Sequence, residues 1–277
     1  MNSGHRIWLI TGISRGFGKA LAVAALERGD TVIGTTRDGR TDLERSARLN
    51  VLPLEMTDAA AVGRVVNAAQ GLHGRLDVVV NNAGYGLLGS VEEGTEEEVS
   101  HLFDVNFHGP RRVIQAALPH LRRQGSGHII NITSIAGIAP SAGAGYYAAA
   151  KSAVEALTQS LAKEVGPLGI RVTLIEPGAF RTDFLSTHSI RSSAAGLEEY
   201  AATVGATRER LGVMAGQQQG DPALAAKAII GVVDSSAPPL HLILGPDAYG
   251  RAREVLDTFS AELERWKAVT LGTDFRA

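Results

Sequence analysis

Short apolar runs alternate with segments of helical period along most of the chain. Ile7-Trp8-Leu9-Ile10 reads as a first strand, and Phe17 to Arg28 as a helix stopped by Gly29. Thr31-Val32-Ile33 and Asn50 to Leu54 follow as strands, with Pro53 marking an irregular end. Ala59 to Ala69 is helical and Leu76 to Val80 is a fourth strand. Glu96 to Arg123 predicts a long helix that Gly109-Pro110 should bend. His128 to Ile132, Tyr147 to Val165 and Arg171 to Ile175 repeat strand, helix and strand. Leu240 to Leu244 gives a seventh strand, and residues 247–269 a C-terminal helix. Strands apolar along their whole length, separated by helices, predict a parallel sheet covered on both faces and wound with right-handed crossovers. The expected fold is α/β, a doubly wound Rossmann-type sheet of about seven strands, in one domain spanning 1–277. Segment 179–220 interrupts the rhythm and reads either as a substrate lid or as a solvated surface excursion.

The 277 residues carry a net charge of -2, which argues against a nucleic-acid surface. There is no Cys, which excludes disulfides, a thiol nucleophile and thiolate-bound zinc. The 8 His form no H-E-x-x-H pattern, so no metal is expected. No apolar run approaches the roughly 20 residues of a membrane span, and Met1 to Arg6 lacks a signal-peptide core. A soluble, cytoplasmic protein is expected. Glu96, Glu97 and Glu98 look able to hold a cation, but Thr95 with Glu98 three residues later is a capping box.

Thr11-Gly12-Ile13-Ser14-Arg15-Gly16-Phe17-Gly18 lies between the first strand and the first helix, where a phosphate-binding turn is built. Gly12 permits the tight turn, Gly16 the close approach of a pyrophosphate, and Gly18 the packing of helix on strand. The same residues spell G-x-S-x-G, but a nucleophile elbow needs earlier strands and only one precedes it. Gly18-Lys19 resembles a P-loop ending, yet Ala20 stands where a Ser or Thr would hold Mg²⁺. The second strand ends in Gly34-Thr35-Thr36-Arg37 without the carboxylate that takes a free ribose 2′-hydroxyl. Arg37 and Arg15 are instead placed for a 2′-phosphate, favouring NADP(H) over NAD(H).

Tyr147 and Lys151 stand four apart on a predicted helix and share a face, whereas Tyr146 points elsewhere. An adjacent ammonium should lower the phenol's pKa and let Tyr147 exchange protons near neutrality. Ser134 ends the fifth strand at the carboxyl edge of the sheet, where ligands bind.

Together these motifs resemble the short-chain dehydrogenase/reductase family. The matching pieces are Thr11 to Gly18, Asn81-Asn82-Ala83-Gly84, Asn106, Ser134, Tyr147-x-x-x-Lys151, Pro177-Gly178 and Thr182, in order over residues 6 to about 185. The resemblance implies an NADP-dependent oxidoreductase that interconverts a carbonyl and a secondary alcohol. Tyr147 would be the acid–base, Lys151 would tune it and hold the nicotinamide ribose, Ser134 would bind the substrate oxygen, and Asn106 would hold a relaying water. Gly12, Ser14, Arg15, Gly16, Phe17, Gly18 and Arg37 would cradle the phosphates. Asp58 would meet the adenine amino group, Asn82, Ala83 and Gly84 the adenine ribose, and Pro177, Gly178 and Thr182 the nicotinamide carboxamide. The C-terminal helix departs from the short tetrameric members, which leaves a homodimer and a homotetramer both open. An NAD-dependent enzyme and a dinucleotide-binding sensor without turnover are the alternatives. The small-molecule substrate should have an apolar body, facing Leu87, Leu88, Ile138, Phe180, Phe184, Leu185 and Leu211. Arg181, Arg191 and Arg208 read as exposed by default, and His188 as solvated.

Overall fold

The computed structural model describes residues 4–186, 189–193 and 196–275; His188 lies outside them. Seven parallel strands form the central sheet in the order β3-β2-β1-β4-β6-β7-β9. They are β1 (Ile7–Thr11), β2 (Thr31–Thr36), β3 (Leu49–Pro53), β4 (Val78–Asn81), β6 (Gly127–Ile132), β7 (Ile170–Pro177) and β9 (His241–Leu244). The order reverses between β1 and β4, and the crevice at such a switch point is where open α/β sheets bind ligands.

Alternation along each strand divides the core in two. Leu9, Ile33, Val79 and Ile129 point to one face, under α2 (Ala59–His73), α4 (Gly109–Gln124) and α5 (Gly145–Val165). Trp8, Ile10, Val32, Val80 and Ile130 point to the other, under α1 (Gly16–Glu27) and α7 (Pro222–Asp234). Each large side chain buried this way contributes about 1.5–3 kcal/mol. Trp8 is fully buried, and its indole donates to Asp30 at 2.8 Å, so its polar edge is satisfied.

The long helix has its break one turn earlier than Gly109-Pro110. The first piece, α3 (Glu96–Phe103), starts at the expected capping box of Thr95 and Glu98. A single wide turn, Asp104–His108, then joins it to α4, with the Gly109 amide bonding back to the Asp104 carbonyl. Pro110 has no N–H to give the carbonyl four residues behind it, so the widened turn absorbs the defect and carries Asn106 inward.

Segment 179–220 is anchored to the body. Its strand β8 (Ile190–Ser192) pairs in parallel with β5 (Gly86–Leu88), and α6 (Ala206–Met214) follows. Buried Glu93 accepts the amides of Ser90 (2.6 Å) and Leu197 (2.9 Å) and lies 3.4 Å from the Arg208 guanidinium. The final helix α8 (Pro246–Leu271) buries only Ala248 and Ala252 and leaves Leu256, Phe259, Leu263 and Trp266 exposed. Among the described residues, no helix is long and apolar enough to cross a membrane.

Candidate active site

The turn after β1 is fixed from three sides. The amides of Gly12 and Ile13 both donate to the Thr35 carbonyl at 3.0 Å. Thr11 Oγ1 accepts the amides of Asn82 (3.0 Å) and Ala83 (3.1 Å), and the Asn82 amide group donates to the carbonyls of Thr11 (2.9 Å) and Gly12 (2.8 Å). Gly12 and Gly16 have φ of 75° and 59°, left-handed values that a side chain would strain. Gly18 has no room for a side chain: a Cβ there would lie 2.2 Å from the Gly12 carbonyl oxygen. Ile13, inside the turn, is fully buried against Gly34 of β2. Arg15, in extended backbone, caps α1, and half-buried Phe17 packs on Phe180 with ring centroids 5.1 Å apart. Ser14 is exposed on the open side of the turn, and Arg37 is exposed just beyond β2. Asp38, which the sequence reading passed over, is tied to Thr36 Oγ1 (3.3 Å) and the Arg40 amide (3.1 Å). A backbone cradle at a helix N-terminus beside an exposed guanidinium fits a dinucleotide phosphate.

Asp58 caps α2, its carboxylate accepting the Ala61 amide at 2.9 Å, so it holds the helix start whether or not it meets a ligand. Pro177 ends β7 against Leu244, and the Gly178 amide donates to the Leu244 carbonyl at 2.9 Å. Asp247, in the first turn of α8, accepts the Ala179 amide at 2.8 Å and closes over Gly178. Thr182 caps a short turn over Asp183–Leu185 and comes within 3.7 Å of where a Gly16 side chain would begin. The loop after β7 therefore reaches across to the glycine turn.

The four expected catalytic side chains gather at the carboxyl edges of β4 and β6. Asn106 is buried, donating to the Tyr85 carbonyl (2.7 Å) and accepting its amide (3.0 Å). A side chain on Gly84 would lie 3.0 Å from Asn106 Oδ1 and 3.6 Å from Lys151 Nζ, so Gly84 keeps the space between them open. Lys151 Nζ donates to the Ile132 carbonyl at 3.0 Å and sits 5.8 Å from the Tyr147 ring centre. Ser134 Oγ accepts the Ala136 amide at 3.1 Å and hydrogen-bonds the Tyr147 phenol. Tyr146 points away and donates to the Val91 carbonyl at 2.7 Å.

The electrostatics differ from the expectation at Tyr147. Burial pushes its phenol up to about 12, opposed by the Ser134 hydrogen bond. Lys151 is itself buried and held down to about 8, with the Glu155 carboxylate pulling it back up. Desolvation of both groups thus outweighs the lowering of the phenol expected from the lysine. Phe184 contributes to that burial, its ring centre 5.8 Å from that of Tyr147.

Arg181 and Arg191 are exposed, as expected, and Arg208 is half-buried. Arg181 donates to the Gln218 carbonyl at 3.0 Å, Arg208 pairs with Glu93, and Arg191 lies 4.8 Å above the Tyr85 ring. Leu87 and Leu88 are buried in β5, while Ile138, Phe180, Leu185 and Leu211 are half-buried. A shallow cleft of about 340 Å³ is lined by Ser141, Ala142, Ala206, Thr207 and Arg210. Sequence reasoning missed Glu155 and Glu176. Glu155 was legible as the next turn of the helix face carrying Tyr147 and Lys151, and Glu176 as an acid near the carboxyl end of β7.

Residues 6–192 match the short chain dehydrogenase family. Oxidoreductase BOA17 of Botryotinia fuckeliana is 37% identical over 273 residues, covering 97% of this chain and 99% of that protein. A 3-ketodihydrosphingosine reductase of Bacteroides thetaiotaomicron is 40% identical over 196 residues, covering 71% of this chain and 72% of its own. The crystal structure of a short-chain dehydrogenase from Streptomyces avermitilis is 42% identical with a TM-score of 0.90, covering 97% of this chain and 100% of that one.

Proposed function

The chain belongs to the short-chain dehydrogenase family and is an NAD(P)-dependent oxidoreductase, and from that premise we propose that it reduces a ketone with an apolar body at the expense of NADPH. The observation that carries this reading is the convergence of Ser134, Tyr147, Lys151 and Asn106 beside a glycine cradle whose neighbouring cation is Arg37.

Gly12 to Gly18 would take the pyrophosphate on backbone N–H groups at the α1 N-terminus. Arg15 and Arg37 would meet the 2′-phosphate with forked donors. Asn82, Ala83 and Gly84 would line the adenine ribose, Asp58 would border the adenine, and Pro177, Gly178 and Thr182 would bracket the carboxamide. When bound, the nicotinamide supplies the hydride. The residues of the chain manage the proton and the developing charge. Ser134 has its oxygen engaged by the Ala136 amide, and its hydroxyl proton, shared with the Tyr147 phenol, would turn to the substrate oxygen. Tyr147 gives its phenolic proton to that same oxygen. The Lys151 ammonium stabilises the phenolate left behind. Asn106, clamped to Tyr85, holds the backbone around the lysine. The substrate body would occupy the space under segment 179–220, bounded by Leu88, Ile138, Phe184 and Leu211. The relative named 3-ketodihydrosphingosine reductase supports a ketone with a long apolar part.

The test is consumption of NADPH and, in parallel, NADH against ketones of graded chain length, with Tyr147→Phe as the blank. Turnover with NADPH that vanishes in Tyr147→Phe is expected. A preference for NADH would overturn the roles of Arg15 and Arg37. Tight NADPH binding without turnover of any ketone would favour a sensor.

A further inference from the structure

The last helix, α8, runs off the body of the protein. Ala248 and Ala252 are buried in a cluster with Ile135 and Ala139, and Val255 packs beside them. From Leu256 to Leu271 every residue of the helix is exposed. At 1.5 Å per residue this overhang is about 24 Å long. A helix of that length is marginal alone in water and draws its stability from packing an apolar face. The overhang has such a face. Leu256, Phe259, Leu263 and Trp266 are spaced three, four and three apart, the a/d seam of a heptad. They are 54%, 59%, 51% and 58% exposed, and nothing among the described residues covers them. Ala252, Phe259 and Trp266 stand seven apart, so the seam continues the face that packs on the body. Ala248 and Ala252 lie where the body covers that face, and the large side chains begin where it ends.

We propose that this face is an interface between two copies of the chain, in which the overhanging parts of α8 pair antiparallel. Area points to a second copy. The four side chains leave on the order of 500 Å² of apolar surface open, near the upper end of what a monomer keeps exposed. A pair would bury about 1,000 Å², the least that a specific interface needs, and Val255 and Val269 on the flank of the seam add to it. Charge argues against a lipid surface. Residues 253–267 carry four carboxylates and three cations, without the cationic excess that anionic headgroups attract.

Direction follows from the body. It lies on the seam side of the first two turns of α8, so a parallel partner would bring its own body into the space where the two helices must meet. An antiparallel partner carries its body past the far end of the overhang. Leu256 then faces the partner's Trp266, and Phe259 faces the partner's Leu263. On one flank of the seam, Glu262 comes opposite the partner's Glu262.

Trp266 makes the pairing visible. The chain has 2 Trp and Trp8 is fully buried, so Trp266 should carry the response to dilution. Its emission should move to the red as the protein is diluted, while the mass from sedimentation falls by half. Phe259→Arg changes an exposed side chain, so the fold is kept, and it should halve the mass of the assembly and abolish the dilution response. Equal masses for the parent and Phe259→Arg at every concentration would overturn the proposal. Binding of that parent to phosphatidylcholine vesicles, lost in Phe259→Arg, would then give the face to a lipid surface. Direction is tested by cross-linking. The chain has no Cys, so Leu256→Cys and Trp266→Cys each carry a single thiol. Mixed and mildly oxidised, they should form a disulfide-linked heterodimer, and separately neither should cross-link. Efficient cross-linking of Leu256→Cys with itself would mean a parallel pair and would overturn the proposal. Glu262→Gln should tighten the pair about two- to fivefold by removing a like-charge contact. These measurements need neither cofactor nor turnover, so they stand apart from the proposed activity.

Discussion

Phe184 and Tyr147 stack at 48° with ring centres 5.8 Å apart, so a residue of segment 179–220 covers the phenol on which the proposed chemistry turns. Tyr147 is 9% exposed beneath it. Removing that ring in Phe184→Ala should hydrate the phenol and bring its titration down from about 12. Tyrosinate absorbance of Phe184→Ala, corrected with the Phe184→Ala/Tyr147→Phe double variant, measures it. An unchanged midpoint would mean that the body of the protein, and not this segment, buries the phenol.

Cofactor choice should turn on Arg37. A charge-assisted hydrogen bond contributes about 1.5–3 kcal/mol, or about ten- to a hundredfold in affinity. Arg37→Asp should raise the KM for NADPH by about that factor and leave the KM for NADH nearly unchanged. Equal losses for both cofactors would place Arg37 outside the 2′-phosphate site.

Gly18 tests the cradle itself. An alanine Cβ would lie 2.2 Å from the Gly12 carbonyl oxygen and 2.4 Å from Asn82 Nδ2, both in rigid surroundings. Gly18→Ala should cost about 1–3 kcal/mol of stability and weaken binding of either dinucleotide. Urea unfolding gives the first and fluorescence titration the second. A variant as stable as the parent would show that α1 can shift on the sheet.

Acid sensitivity should come partly from His128, buried on β6 with Nε2 2.9 Å from Thr173 Oγ1. That oxygen donates to the Pro239 carbonyl at 2.8 Å, so it accepts from a neutral imidazole carrying its proton on Nε2. Burial, with Arg171 and Arg6 adding to it, holds His128 down to about 4 from the usual 6.5. The folded pKa is depressed, so this stability is present above pH 6.5 and lost as pH falls towards 4, about 3 kcal/mol in all. Glu155 acts in the same window with the opposite sign, since its raised pKa favours the folded state at low pH. Comparing urea midpoints of the parent and His128→Leu across that range isolates the histidine. Parallel curves would contradict its neutral burial.

Much of the architecture was legible because parallel strands buried on both faces are apolar throughout, and seven such runs stand in the chain. The capping box of Thr95 and Glu98 was readable for a similar reason, being a local chemical signature. The wide turn at Asp104–His108 was less legible, since Pro110 announces a defect without saying which turn absorbs it. The β5–β8 pairing joins residues about a hundred positions apart, and three-residue strands carry too little pattern to show it. At the candidate site, residue types and spacing singled out Tyr147, Lys151 and Ser134, and the family resemblance added Asn106. Their proton affinities depend on burial, which spacing does not encode, and so the direction at Tyr147 reversed. Glu155 and Glu176 escaped notice because what sets them apart is their burial, which residue type and spacing do not record.

The amide group of Asn82 spans the carbonyls of Thr11 and Gly12 and so stitches the end of β4 to the turn before α1. A loop already stitched has little backbone freedom left to surrender when it captures a ligand. Encounter with a dinucleotide then meets a formed surface, and the association rate should vary little between nucleotides of similar charge. Discrimination among them falls to how long each one stays, and thus to the rate at which spent cofactor leaves.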